Sequence, residues 1–390
     1  MKLVKLSLVA AMAAGVFATT ASAVPLEEAI KNVDVSGYTR LRYTSDDKDS
    51  TKNNSEWNFK GVVNVKTQID DNFFAVVGVR YDDTDTAQST SGVNGNKAAS
   101  NPSKFEISQA YFGYNIGNTS VMLGRQVVGA FFTDDMFGDG IKVVNSDIQG
   151  LTLAALYMDA LEDDGDISTL DLGAVAGKKT TDHNLYGVAA IGSYDPVSFQ
   201  LWYAVLEDVT DLFAIEAAVN FDVTEDIALG LKAQYGFSDF DGDFKAALPV
   251  ADDADIYGVE ASTSLFGLDF TAGYVDFSTD KDKASLVSFE DQGSFISPGE
   301  ELLDYTLFFG ENDYFFATAA YTIPNTGVML GIDYLDGENK TTAGKKDMKE
   351  TVYRVEYAAT KKLKFKTWYS QVKDGDDDNN RFRFEAKYSF

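Results

Sequence analysis

The chain has 390 residues, no cysteine, 6 prolines, 32 glycines, 20 tyrosines and 28 phenylalanines, and its formal net charge is −28. The lack of cysteine excludes a disulfide scaffold, so stability must come from sheet and burial. The negative balance excludes nucleic acid as a partner and repels anions at a distance.

Residues 1–23 read as a cleaved secretory signal, with Lys2 and Lys5, an apolar stretch from Leu6 to Phe17, and a small-residue site at Ala21-Ser22-Ala23. The apolar run falls short of the ~20 residues that a spanning helix needs. Residues 24–32 are expected to form a short periplasmic segment, Pro25 suiting a first helical turn. Residues 33–390 then read as one transmembrane domain built from strands without interior prolines.

In chain order the strands are Val33–Tyr43, Trp57–Ile69, Phe73–Tyr81, Lys104–Ile116, Thr119–Val128 and Gly140–Ile148. Next come Leu151–Asp159, Asn184–Tyr194, Val197–Leu206, Leu212–Val223, Ile227–Phe237 and Ile256–Leu265. The last are Leu268–Phe277, Tyr314–Ile323, Gly327–Leu335, Thr351–Ala359, Leu363–Val372 and Arg381–Phe390. That is about eighteen segments, each near the 9–11 residues of a tilted membrane-spanning strand.

Their connections alternate in length. Tight turns such as Asp70-Asp71-Asn72, Gly117-Asn118, Asp195-Pro196 and Thr360-Lys361-Lys362 carry turn-forming residues. Between them lie mostly long, acidic loops, among them Thr44–Glu56, Asp82–Ser103, Gly129–Asp139, Ala160–His183, Asp336–Glu350 and Lys373–Asn380. This parity predicts an all-β fold, a closed antiparallel up-and-down barrel with short periplasmic turns and long outer loops. The stretch Ser278–Asp313 is too apolar for a plain loop, holding Phe289, Phe295, Ile296 and the run Leu302 to Phe309. It is expected to fold as an extra hairpin over the mouth; two hidden strands would leave the parity intact.

The arginines are Arg40, Arg42, Arg80, Arg125, Arg354, Arg381 and Arg383, all on the first, third, fifth, sixteenth and eighteenth strands. Closure makes the first and last strands neighbours, so these residues occupy one arc of the wall. Alternation turns Arg40, Arg42, Lys60, Arg80, Arg354, Arg381 and Arg383 into the lumen, while Arg125 is ambiguous. A basic side chain on the lipid face at mid-depth would cost ~2–4 kcal/mol.

The loop Gly129 to Gly140 combines Phe131, Phe132, Met136 and Phe137 with Asp134, Asp135 and Asp139. Each large apolar side chain left in water costs ~1.5–3 kcal/mol. The loop is therefore expected to fold inward, its three carboxylates facing the basic arc at a pore constriction. Salt confines such effects to about 8 Å, so these carboxylates would give a mild cation preference.

The acidic runs Glu162-Asp163-Asp164-Gly165-Asp166, Asp239–Asp243 and Asp374–Asp378 offer hard oxygen ligands of the kind calcium takes. None completes a helix–loop–helix calcium spacing, and solvated loops account for them; no cofactor is required. His183 is the only histidine, and nothing places a serine beside it, so an enzyme is not expected.

The signal, the segment Val24-Pro25-Leu26-Glu27-Glu28-Ala29-Ile30-Lys31-Asn32-Val33-Asp34-Val35-Ser36-Gly37-Tyr38 and the terminal Phe390 resemble the major outer membrane porins of campylobacter-type bacteria. The resemblance implies an eighteen-stranded general-diffusion porin of the outer membrane. It also implies a homotrimer, a third outer loop folded into the lumen, cation preference and a bound calcium ion. The partners would then be ions, small hydrophilic solutes and outer-membrane lipid. Two readings compete: a surface adhesin or structural barrel without an open channel, and a channel specific for acidic or amino-acid-like solutes.

Overall fold

A computed structural model describes residues 33–49, 53–88, 105–162, 180–224, 227–303 and 307–390. The expected signal, the 24–32 segment and most of the 162–166 acidic run lie outside the described residues.

The first strands are β1 (Val33–Lys48), β2 (Asn54–Gln68), β3 (Phe73–Gln88), β4 (Phe105–Ile116), β5 (Thr119–Val127), β6 (Phe137–Ile148) and β7 (Leu151–Leu161). They continue as β8 (Leu185–Tyr194), β9 (Val197–Leu206), β10 (Thr210–Thr224), β11 (Ile227–Phe240), β12 (Ala254–Leu265) and β13 (Leu268–Ser278). After the short β14 (Ala284–Leu286) and β15 (Leu307–Phe309) come β16 (Glu311–Ile323), β17 (Val328–Thr341), β18 (Gly344–Ala358), β19 (Leu363–Asp374) and β20 (Asp377–Ser389). All but β14 and β15 form one 18-stranded sheet. Each of these strands pairs antiparallel with its neighbour along the wall, and β20 returns to β1 with Ser389 opposite Tyr38 and Asn379 opposite Lys48. At the seam the Phe390 N–H donates to Gly37 O at 3.0 Å, and Gly37 N–H donates to Phe390 O at 3.3 Å. Among the described residues the 18-stranded sheet keeps no free edge, which is what hydrocarbon demands of a spanning sheet.

Side chains alternate across this wall. Leu41, Phe59, Val188, Val259, Leu330 and Val355 face outward and are exposed, whereas Lys60, Arg80, Gln234 and Glu350 face inward and are buried. Aromatic contacts between neighbouring strands run along the outer face, as in Tyr43 with Trp57 at 4.8 Å and Tyr274 with Phe315 at 4.6 Å.

Two expected long loops are instead tall hairpins. β17 and β18 stay paired up to Thr341 and Gly344, and β19 and β20 up to Asp374 and Asp377. Charged pairs support these extensions: Lys340 lies 3.0 Å from Asp313, and Lys346 lies 2.6 Å from Asp374. The acidity read as loop is therefore partly ladder. Among the described residues the segment between β13 and β16 adds no strand to the wall; β14 and β15 pair with each other, and Ala284 of β14 also bridges Ala251. It also does not stop at the mouth, because its Phe289 and Phe295 are buried inside the barrel.

Outward Val259 stands near the middle of β12, so Val259→Arg should destabilise the barrel by about 2–4 kcal/mol. Urea titration in lipid vesicles measures this; a change under ~0.5 kcal/mol would mean that the outer face is not in lipid.

Candidate functional site

Two segments enter the barrel. The first, residues 128–136, follows β5; its Phe131, Phe132 and Met136 are at most 1% exposed. The second, described over residues 279–303 and 307–310, follows β13. They pack as one body, with Phe131 and Phe295 rings 4.8 Å apart and Phe132 and Phe289 rings 6.2 Å apart. Their main chains also pair: Phe289 N–H donates to Phe132 O and Ser294 N–H to Phe131 O, both at 2.7 Å. Glu290 fastens the turn by accepting the Asp134 N–H at 2.7 Å and the Met136 N–H at 2.9 Å.

Glycine permits this approach at two places. Gly293 has φ +56°, and a Cβ there would fall 2.4 Å from Phe131 O. On β11, a Cβ at Gly236 would meet the Phe295 ring at 2.5 Å. Around both segments, Leu156, Met158, Leu185, Leu206, Leu212, Ile256 and Phe277 from β7 to β13 complete a dry cluster.

The opposite wall, β1 to β3 and β18 to β20, is polar. Lys60 reaches Asp135 at 2.9 Å, joining β2 to the first inserted segment. Arg80 pairs with Glu106 at 2.5 Å and with Glu162, and its guanidinium lies 5.2 Å from the Phe137 ring. Arg42 pairs with Glu385 at 2.9 Å; Arg40 donates to Asn58 at 3.1 Å. Arg381 binds Asp46 at 2.5 Å and Glu301 at 2.7 Å. Arg354 pairs with Asp333 and lies 3.6 Å from Glu300. Arg383 stacks over Trp368 at 4.8 Å.

Arg125 and Asp139 depart from the expected arrangement. They oppose each other in the β5–β6 register, 3.3 Å apart, on the face that also carries exposed Leu123 and Ile141. The inserted turn ends at Met136 because β6 begins at Phe137, so Asp139 belongs to the ladder and alternation turns it away from Asp134 and Asp135.

The second segment supplies acidic residues absent from the sequence-based set: Glu290, Glu300 and Glu301. Its apolar content and the glycines inside strands β11 and β12 were the available signals, since strand glycines mark close approach.

Burial governs the charge of these groups. It raises the Asp134 carboxyl, and the neighbouring Asp135 raises it further. For Asp135 burial acts in the same direction, but the Lys60 ammonium outweighs it and holds that carboxyl below its ordinary value. Burial pushes Glu290 up to about 7 against the two backbone N–H groups, with Asp135 adding to the rise. Glu301 also rises to about 7, burial prevailing over the attraction of Arg381.

Among the described residues no group of three or more carboxylate or histidine side chains is placed to hold a metal. Asp241 instead caps the short helix α1 (Gly242–Ala247), and Asp374 binds Lys346. His183 is buried with Asp208 at 3.8 Å.

The sequence profile of the Campylobacter major outer membrane protein family matches residues 1–388. No curated protein matches the chain. Among solved structures it is similar to Pseudomonas aeruginosa OpdQ, with 14% identity, 92% of this chain and 99% of that one covered, and a TM-score of 0.73. For Acinetobacter baumannii OccAB4 the values are 14%, 92%, 98% and 0.74, and for Pseudomonas aeruginosa OprD 14%, 92%, 93% and 0.70. At this identity the likeness shows a shared barrel fold.

As pH rises through about 7, Glu290 and Glu301 lose their protons and the interior gains negative charge. The cation-to-anion permeability ratio in planar bilayers should therefore increase from pH 6 to pH 8, and Glu301→Gln should flatten the rise. A ratio independent of pH over this range contradicts the placement of these carboxyls.

Proposed function

Because the chain belongs to the Campylobacter major outer membrane protein family, we propose that this outer-membrane porin passes ions and small hydrophilic solutes by diffusion, with mild cation selectivity. Barrels of this strand number enclose aqueous channels. The water path runs along the polar wall of β1–β3 and β18–β20, since the β7–β13 side is filled by the dry cluster.

One observation carries the reading: Asp134 and Asp135 stand at the tip of an inserted segment that reaches Lys60 across the interior. Asp135 is in contact with Lys60, which leaves Asp134 to set acidic charge against the arginines of the basic wall, and such opposed charges set up a transverse field. A single carboxylate ~8 Å from a passing ion in a water-like medium contributes about 0.5 kcal/mol, roughly a twofold preference. Such a contribution biases traffic without binding a solute, as diffusion requires.

The homotrimer belongs to the same proposal. Outward Ala217, Ala233, Ala261 and Ala272 line a shallow apolar depression suited to close packing with a neighbour. Ala218 is buried on the other face of β10, and a Cβ at Gly230 would meet Ser262 and Asn220, so neither adds to this surface.

Reversal potentials in a salt gradient test the selectivity. Asp134→Asn with Asp135→Asn should lower the cation-to-anion permeability ratio by roughly two- to fourfold. An unchanged ratio removes this segment from the constriction, and a clear anion preference in the natural protein overturns the selectivity.

A further inference from the structure

The inner tip of the second inserted segment lies against the basic wall rather than the dry one. Glu300 Oε1 stands 2.8 Å from Lys366 Nζ and 3.6 Å from Arg354 Nη1, while Glu301 Oε1 accepts from Arg381 Nη1 at 2.7 Å. Both side chains are about nine-tenths buried, with relative exposures of 12% and 10%. Lys366 stands near the start of β19 and Arg381 near the start of the antiparallel β20, so the two carboxylates meet the wall at different depths.

A dedicated cradle holds the tip in place. Glu350 on β18 is fully buried and accepts three consecutive backbone N–H groups: Glu300 at 2.9 Å, Glu301 at 3.4 Å and Leu302 at 3.0 Å. Ser370 on β19 donates to the same carboxylate at 2.8 Å. Gly299 enters the cradle at φ +89°, and a Cβ there would fall 2.5 Å from Glu350 Oε2. Only glycine lets the main chain come this close. A buried carboxylate satisfied by amides fixes geometry because each lost partner would leave it uncompensated.

We propose that Glu300 and Glu301 are selectivity-determining residues of the pore, and that Glu350 is the residue that positions them. Without the tip, Arg354, Lys366 and Arg381 would lose the carboxylates of Glu300 and Glu301, next to Arg383. The wall would then attract anions. With the tip seated, two carboxylates balance it, and the acidic first segment decides the sign of the current. This inference deepens the proposed function and rests on the interior being a conducting passage.

The test is the permeability ratio of the full-length protein in planar bilayers, with heat-modifiable gel mobility as the check on folding. At pH 8, above the titration of Glu301, Glu300→Gln with Glu301→Gln should shift the ratio toward anions by roughly fourfold, two charges at about twofold each. Glu300→Gln alone, which leaves the cradle and Glu301 in place, should shift it by about half of that on a logarithmic scale. Glu350→Gln keeps both tip charges but weakens their hold, so it should raise open-channel current noise and give a partial shift, both restored by Glu350→Asp. Folded double and single variants with the natural ratio would overturn the proposal. So would a Glu350→Gln channel with natural noise and ratio. The shift between variant and natural protein, not the absolute ratio, is the readout. A natural protein without cation preference therefore counts against the function proposed above while the tip's role is still decided.

Discussion

The constraint on which everything else depends is the closure of the sheet between β1 and β20. A membrane core offers no hydrogen-bond partners, so an open edge over this length would strand a row of main-chain groups at several kcal/mol each. Closure fixes strand parity and hence the side of every turn. It also brings Arg40 and Arg42 beside Arg381 and Arg383 although more than three hundred residues separate them in the chain. In the register, Arg42 faces Glu385 and Tyr43 faces Phe384, so the seam shows a charged inner face and an aromatic outer one. Membrane residence and the polar wall are two consequences of one alternation.

Inside the closed wall the volume divides by chemistry. Aliphatic and aromatic residues of β7 to β13 accept the apolar roots of both inserted segments, and this dry packing sets where their tips can reach. The tips then carry carboxylates to the basic wall: Asp135 to Lys60, Glu300 to Lys366 and Glu301 to Arg381. Hydrophobic burial thus sets the course of each segment, hydrogen bonds such as those accepted by Glu350 fix its tip, and charge does the selecting. The ion pairs themselves need contribute little to stability, because the desolvation they require offsets much of their attraction.

Much of this was legible in the sequence, for physical reasons. Period-two alternation with turn residues at regular intervals is a local signal, and it gave the strands, their parity and the inward facing of Arg40, Arg42, Lys60, Arg80, Arg354, Arg381 and Arg383. Four large apolar residues in one short loop implied burial, and Phe131, Phe132 and Met136 are buried. Strand ends were not legible, because charged alternation such as Glu338-Asn339-Lys340 reads as loop until its partner strand is known. That error moved Asp139 into a loop it does not occupy; Arg125 lies within β5, where alternation alone did not choose its face. The depth reached by residues 279–310 was also hidden. It depends on Gly236, Gly258 and Glu350, which are distant in sequence and meaningful only when the barrel brings them together.

Because the natural chain has no cysteine, a single introduced thiol reports its own surroundings without interference. The most direct test of the central claim uses neighbours on β20, Arg383 turned to the polar interior and Phe384 to the outer face. Block of ionic current by a membrane-impermeant, charged thiol reagent should occur with Arg383→Cys and not with Phe384→Cys. Block of the second and not the first, or of neither in a conducting channel, would contradict an aqueous passage along the basic wall.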